Sequence, residues 1–175
     1  MTVKRRQEHG YSFESMVKEH LGAEESPDIR FDLIHDDTPM QIKTTGDKSL
    51  RLGRYKSGLE ISNDFYLVYA IHDNYEIVDV KSYLINGLDY NRQFSFEVQG
   101  AFDELIKPLP DRTGMYKEYC TQIKAMAQPR LVCPAVKKGG GGNNRLQSYI
   151  QIKDVPELGV EVDLGLEKFL NNLLK

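Results

Sequence analysis

The stretch from Asp28 to Thr45 reads DIRFDLIHDDTPMQIKTT. It holds residue types that handle divalent cations and phosphates. Two extended segments are separated by the turn formers of His35 to Pro39. In the first, Ile29, Phe31 and Leu33 alternate with Arg30, Asp32 and Ile34, as a strand requires. In the second, Met40 and Ile42 alternate with Gln41, Lys43 and Thr45. Gln41 and Lys43 therefore point the same way, about 6–7 Å apart at ~3.3 Å per residue. A hairpin brings Asp32 alongside them, and Glu14 joins if the helix before it packs over this edge. Two carboxylates, an amide oxygen and an amine suit a Mg²⁺ site that handles a phosphodiester. Oxygen donors hold the cation, and the amine orients a water or offsets developing charge.

Those residues need elements to position them. Phe13, Met16, Val17 and Leu21 recur at helical spacing over 11–21, with Ser12 as a cap and Gly22 as a stop. Strands are expected over 29–34 and 40–45, and 46–63 reads as polar and irregular. FYLVYAI at 65–71 is a buried strand. Asp73-Asn74 turns the chain into another strand over 75–80. A short element falls within 82–98, around Phe94, Phe96 and Val98. Helical patches follow near 100–107 and 114–127. The glycine run in KKGGGGNN (137–144) predicts an exposed loop. A late strand covers 145–153, with Leu146, Ser148, Ile150 and Ile152 on one face, and an amphipathic helix covers 163–174. The order predicts an α/β (α+β) chain with a central mixed sheet flanked by helices. No candidate break is long enough for a linker, so a single domain over 1–175 is expected.

Composition sets bounds on class. A chain of 175 residues with 40% hydrophobic and 28% charged residues can bury a sizeable core and is not disordered. No apolar run approaches membrane-spanning length, and MTVKRRQEHGY has no apolar signal core, so a cytoplasmic location is expected. Cys120 and Cys133 have no CxxC partner, and His9, His20, His35 and His72 are scattered, so a zinc cluster is not expected. The two cysteines read as reduced packing residues. Net charge is −3, which does not advertise a polyanion partner, but the distribution is uneven. Lys43, Lys48, Arg51, Arg54 and Lys56 form one basic block. Lys124, Arg130, Lys137, Lys138 and Arg145 form another, with no acid between 124 and 152. Such blocks suit a localised anionic partner, and they also suit solvated loops. On the first reading, Lys48, Arg51, Arg54 and Lys56 contact phosphates. Lys137, Lys138, Asn143, Asn144 and Arg145 flank the glycine loop, where Arg and Asn can read base edges.

The layout resembles the PD-(D/E)XK nuclease superfamily, and within it a group of small type II restriction endonucleases. The likeness runs through FESMVKEHLG, then from FDLIHDDTPMQIKTT to YEIVDV, and resumes at RLQSYI. It covers about the first 80 residues, and nothing specific is recognised between 81 and 144. It implies a restriction-endonuclease-like core. Asp32 corresponds to the metal-binding acid, Gln41-Ile42-Lys43 to the (D/E)XK element with Lys43 as catalytic lysine, and Glu14 to the helix glutamate. By the same likeness Arg145 and Gln147 contact DNA. One departure stands out. Gln41 occupies a position that is usually Asp or Glu, so the site has one negative charge fewer. Asp28 and Asp36 are reserve candidates for the metal-binding acid.

The resemblance implies a Mg²⁺-dependent, sequence-specific endonuclease of double-stranded DNA that leaves 5′-phosphates. A homodimer is expected, since two-fold symmetry matches a palindrome. Two alternatives remain open at this stage. One is a structure-specific nuclease for junctions or repair. The other is a non-catalytic DNA-binding protein on a nuclease scaffold.

Overall fold

The computed structural model describes residues 3–109, 114–128, 130–139 and 143–173, with side chains from Ser12 onward and up to Asn172. The elements in chain order are α1 (Val3–Leu21), β1 (Glu24–Glu25), β2 (Leu33–His35), β3 (Thr38–Thr45), β4 (Ser49–Arg54), α2 (Tyr55–Glu60), β5 (Phe65–Asp73), β6 (Glu76–Ile85), α3 (Gly87–Asn91), α4 (Phe96–Leu105), α5 (Gly114–Met126), β7 (Val132–Lys137), β8 (Arg145–Gln151), a 3-10 turn (Ile152–Glu157), β9 (Gly159–Glu161) and α6 (Leu166–Leu173). The class is α+β: a mixed six-stranded sheet and a three-stranded sheet, with helices. Contacts divide the chain into two compact units. One comprises Met1–Leu50, Asn63–Asn86 and Val155–Lys175, the other Arg51–Ser62 and Gly87–Asp154. Both are assembled from separated stretches, so no linker marks the division in the sequence.

The first unit holds the six-stranded sheet, in the order β1-β2-β3-β5-β6-β9. β3 and β5 run parallel, with Lys43 opposite Tyr69, and the other pairs are antiparallel. One face of the sheet carries Leu33, Met40, Ile42, Val68 and Val80, which form a core with Phe13 and Val17 of α1 and Leu166 and Leu170 of α6. Burying such side chains contributes roughly 1.5–3 kcal/mol each. α1 ends in a Schellman turn: Gly22 has φ +61°, Ala23 N–H donates to Lys18 O at 3.0 Å, and Gly22 N–H donates to Glu19 O at 3.4 Å. The stop therefore falls at Gly22 as expected. Ser12 is not a cap, because the helix begins at Val3, in a run of good helix formers.

The hairpin from β2 to β3 turns through Asp36 (φ 47°) and Asp37 (φ 62°), the left-handed pair that a two-residue hairpin turn demands. β2 is shorter than the expected 29–34. Asp28 diverts the chain: its Oδ1 accepts Arg30 N–H at 3.0 Å and its carbonyl accepts Phe31 N–H at 3.0 Å, closing a turn over 28–31. Ile29, expected on the buried face with Phe31 and Leu33, is 98% exposed on that turn.

The second unit holds β7, β8 and β4 from Arg51 onward, strands of a three-stranded sheet in the order β4-β8-β7, with α2 to α5. β7 was not expected, since Pro134 breaks the pattern. It lies at the sheet edge, where a missing N–H is tolerated. The region 46–63, read as irregular, contains β4 and α2. Its local signal is weak because long-range packing stabilises it. Tyr55 is buried, accepts Ser95 N–H at 3.0 Å through its hydroxyl, and meets the Phe94 ring edge-on at 4.9 Å between centroids. Asn91 donates its amide to the carbonyls of Gly58, Leu59 and Ile61 at 2.7–3.1 Å, satisfying the end of α2. β8 runs as expected, with Leu146, Ser148 and Ile150 buried, while Ile152 falls in the 3-10 turn. Residues 140–142 of the glycine loop lie outside the described residues.

Candidate active site

Asp32 sits one residue before β2. Its N–H donates to Met40 O at 2.9 Å, and its Oδ2 accepts Ile42 N–H at 2.7 Å. β2 begins only at Leu33, paired with Met40, so no ladder partner lies beyond that pair for Ile42 N–H. The carboxylate takes the missing partner's place. That bond fixes Asp32 against β3, where Lys43 Nζ lies 3.9 Å from the same Oδ2. Both side chains are partly open, at 32% and 27% exposure, so an anionic ligand can reach them.

Glu14 belongs to the same neighbourhood. Burial raises its pKa above the usual carboxylate value, and the charges of Asp32 and Glu25 push it further. Lys43 and Lys18 pull it partly back. Glu14 thus feels both members of the Asp32–Lys43 pair, as the expected packing of α1 over this edge requires.

Gln41 follows a different logic. It is only 3% exposed, and its Nε2 donates to Arg30 O at 3.2 Å. Among the described residues its Oε1 has no hydrogen-bond partner. A buried acceptor left unpaired costs about 1–3 kcal/mol, so this oxygen is a candidate cation ligand.

The two reserve acids are engaged elsewhere. Asp28 forms a forked ion pair with Arg30: Oδ1 to Nε at 2.9 Å and Oδ2 to Nη2 at 2.6 Å. Hydrogen bonding from Arg30 holds its carboxyl below the usual range. Asp36 stands on the hairpin turn with an 89% exposed side chain, 3.4 Å from His35 Nε2. Arg30 itself was missed by the sequence reading. It neutralises Asp28 with its side chain and orients Gln41 with its carbonyl. The Asp-x-Arg spacing before a turn was the available signal.

The donor types fit Mg²⁺, which takes one or two carboxylates with several waters. Asp32, Glu14 and the Gln41 amide oxygen would hold it. Among the described residues no group of three or more His, Cys, Asp or Glu side chains is gathered in metal-binding geometry.

The expected DNA-contacting residues distribute as follows. Lys48 is exposed in the turn after β3, in the first unit. The others lie in the second unit. Arg51 and Arg54 are exposed on β4, and Lys56 is exposed on α2. Lys137 and the exposed Arg145 form a directly opposed cross-strand pair between β7 and β8, with Gln147 two residues further on β8. Lys138 lies over the Tyr116 ring, 5.8 Å from its centroid, and Asn143 is exposed. Asn144 is buried, and its amide donates to Ile106 O at 2.9 Å and Leu109 O at 3.2 Å, so that amide anchors its loop.

Comparison with family models, with curated proteins and with solved structures finds no match in any of the three. Among the described residues no helix is long and apolar enough to cross a membrane. The defined class is therefore an α+β chain whose first unit clamps an acid and a lysine together at the β2–β3 hairpin.

Proposed function

We propose that the chain is a Mg²⁺-dependent endonuclease of double-stranded DNA, the restriction half of a restriction–modification pair, acting as a homodimer. The observation that carries this reading is the Asp32–Lys43 pair, fixed at 3.9 Å by a backbone hydrogen bond on the strand that bears the lysine. Lys43 orients the attacking water and offsets charge on the reacting phosphate. Asp32 holds that lysine in place and, with Glu14 and Gln41, supplies oxygen ligands. Bound Mg²⁺ would lower the pKa of a water and neutralise phosphate charge. In-line attack of the water oxygen on phosphorus forms a new P–O bond and breaks the bond to the 3′ oxygen, which takes a proton from solvent and leaves as a 3′-hydroxyl, with a 5′-phosphate on the other end.

The test is plasmid cleavage with Mg²⁺. Lys43→Ala and Asp32→Asn each abolish cutting while the protein stays folded. Cleavage by both variants at the wild-type rate sinks the reading. Discrete fragments support restriction, whereas cutting of branched DNA alone supports a structure-specific nuclease.

A second reading, a non-catalytic DNA-binding protein, draws on one observation. The neutral Gln41 is buried and tied to Arg30 O where a third ligand charge would otherwise stand. It predicts duplex binding without Mg²⁺-dependent turnover, and no activity gained by Gln41→Glu.

A further inference from the structure

The open face of the three-stranded sheet concentrates positive charge from all three of its strands. Strand alternation buries Leu52, Val132, Pro134, Leu146 and Ile150 on one side. Arg51 of β4, Arg145 of β8 and Lys137 of β7 are left on the other. Lys137 and Arg145 are directly opposed. Two like charges in that position cost stability. Burial, and then the charge of Arg51, hold the Lys137 amine below its ordinary pKa, so the third cation is also within reach. Among the described residues none of the three forms an ion pair. No acid occurs between 124 and 152 to balance them.

Self-repelling cations spread over neighbouring strands, about 4.8 Å apart, suit an extended polyanion better than a small ion. The face offers little to unstacked bases. Among its described residues Tyr149 is the only aromatic, and it is partly buried. A single strand is held largely by stacking on aromatic rings, whereas a duplex is held by its phosphates.

We propose that this sheet face is a duplex-DNA docking surface in its own right, with Arg51, Lys137 and Arg145 gripping the phosphate backbone without metal. It shares the DNA partner of the proposed function but does not rest on cleavage. It holds equally if Lys43 catalyses nothing.

The experiment is fluorescence anisotropy of the full chain on a labelled duplex in EDTA, where cutting cannot contribute. Each phosphate contact adds about 0.9 to the slope of log affinity against log salt. Combined Arg51→Gln, Lys137→Gln and Arg145→Gln should weaken binding about tenfold or more and flatten the slope by roughly 2.7. A charge-matched control, Lys107→Gln with Lys117→Gln and Lys168→Gln, should change affinity by less than about twofold. If the triple variant does not fold, the three single variants carry the test, each flattening the slope by about 0.9. The proposal is overturned by wild-type binding in the sheet variants, by an equal loss in the control, by tighter binding to the matching single strand, or by no binding of wild type to duplex.

Discussion

Asp32 and Lys43 stand 3.9 Å apart because Asp32 is bonded to the backbone between Gln41 and Lys43: its Oδ2 accepts Ile42 N–H at 2.7 Å. The carboxylate thus does two jobs. It completes the β-ladder where β2 has not yet begun, and it holds a negative charge beside the lysine. The two jobs predict different outcomes for two substitutions.

Asp32→Asn keeps an oxygen for Ile42 N–H and loses the charge. Asp32→Ala loses both and leaves a donor unpaired, at about 1–3 kcal/mol. Thermal denaturation should show a Tm near wild type for Asp32→Asn and a clearly lower one for Asp32→Ala. Plasmid cleavage should be absent in both. Equal Tm values for the two variants would show that the Ile42 bond contributes nothing.

Gln41→Glu places a carboxylate where a 3% exposed amide now stands. Without metal, an added charge at a buried position near Asp32 destabilises the fold. With metal, it strengthens the ligand set. The expected outcome is a lower Tm in EDTA and a larger rise in Tm on adding Mg²⁺ than wild type shows, as ligand linkage requires. If Mg²⁺ moves the Tm of variant and wild type equally, Gln41 does not face the cation.

Glu14 supplies the pH dependence. Its pKa is raised in the folded state, first by burial and then by Asp32, so the folded chain binds a proton that the unfolded chain has released. Stability therefore falls as pH rises from the ordinary carboxylate value through the raised one, and it stays reduced above. Glu14→Gln removes that loss, so its Tm at neutral pH should equal or exceed wild type. A carboxylate must be ionised to bind metal. In wild type, Mg²⁺ affinity should therefore decline on acidification at a higher pH than for an unperturbed Glu. Isothermal titration across acidic pH checks this. An unchanged profile in Glu14→Gln would remove Glu14 from the ligand set.

How much of this was legible in the sequence depended on whether the cause was local. Alternation placed Gln41, Lys43 and Thr45 on one face, and the Asp36-Asp37 turn closed the hairpin as read. The rest was set by partners distant in sequence or by side chains bonding to backbone. Asp28 delayed the start of the expected first strand because its carboxylate and carbonyl captured Arg30 and Phe31, a turn that alternation alone does not show. β7 was hidden by Pro134, which only an edge position tolerates, and that position is defined by Arg145 to Gln151 arriving later in the chain. Asn144 looked free beside a glycine run, yet its partners, Ile106 and Leu109, lie more than thirty residues away.

The Asp28–Arg30 pair gives the last prediction. Asp28 was a reserve metal ligand, but its oxygens are taken by a guanidinium, with Oδ2 to Nη2 at 2.6 Å. Arg30 in turn offers its carbonyl to Gln41 Nε2 at 3.2 Å. Asp28 therefore acts on the site through Arg30 and Gln41, as a positioning residue. Asp28→Asn weakens the charged fork but preserves an acceptor for Arg30 N–H, so the turn survives. The pair is part-exposed, and its loss should cost no more than about 1 kcal/mol. The Mg²⁺ midpoint for cleavage should move by no more than the roughly 10–100-fold typical of a lost outer-shell partner, against the complete loss expected at Asp32. Because the Asp28 carboxyl is held below its ordinary pKa, its contribution is present above that ordinary value and disappears as pH falls through the depressed one. The Tm gap between wild type and Asp28→Asn should therefore close on acidification. Loss of cleavage matching Asp32→Asn would place Asp28 in the metal site beside Asp32, and a gap that persists at low pH would show that the Asp28 charge is not what stabilises the turn.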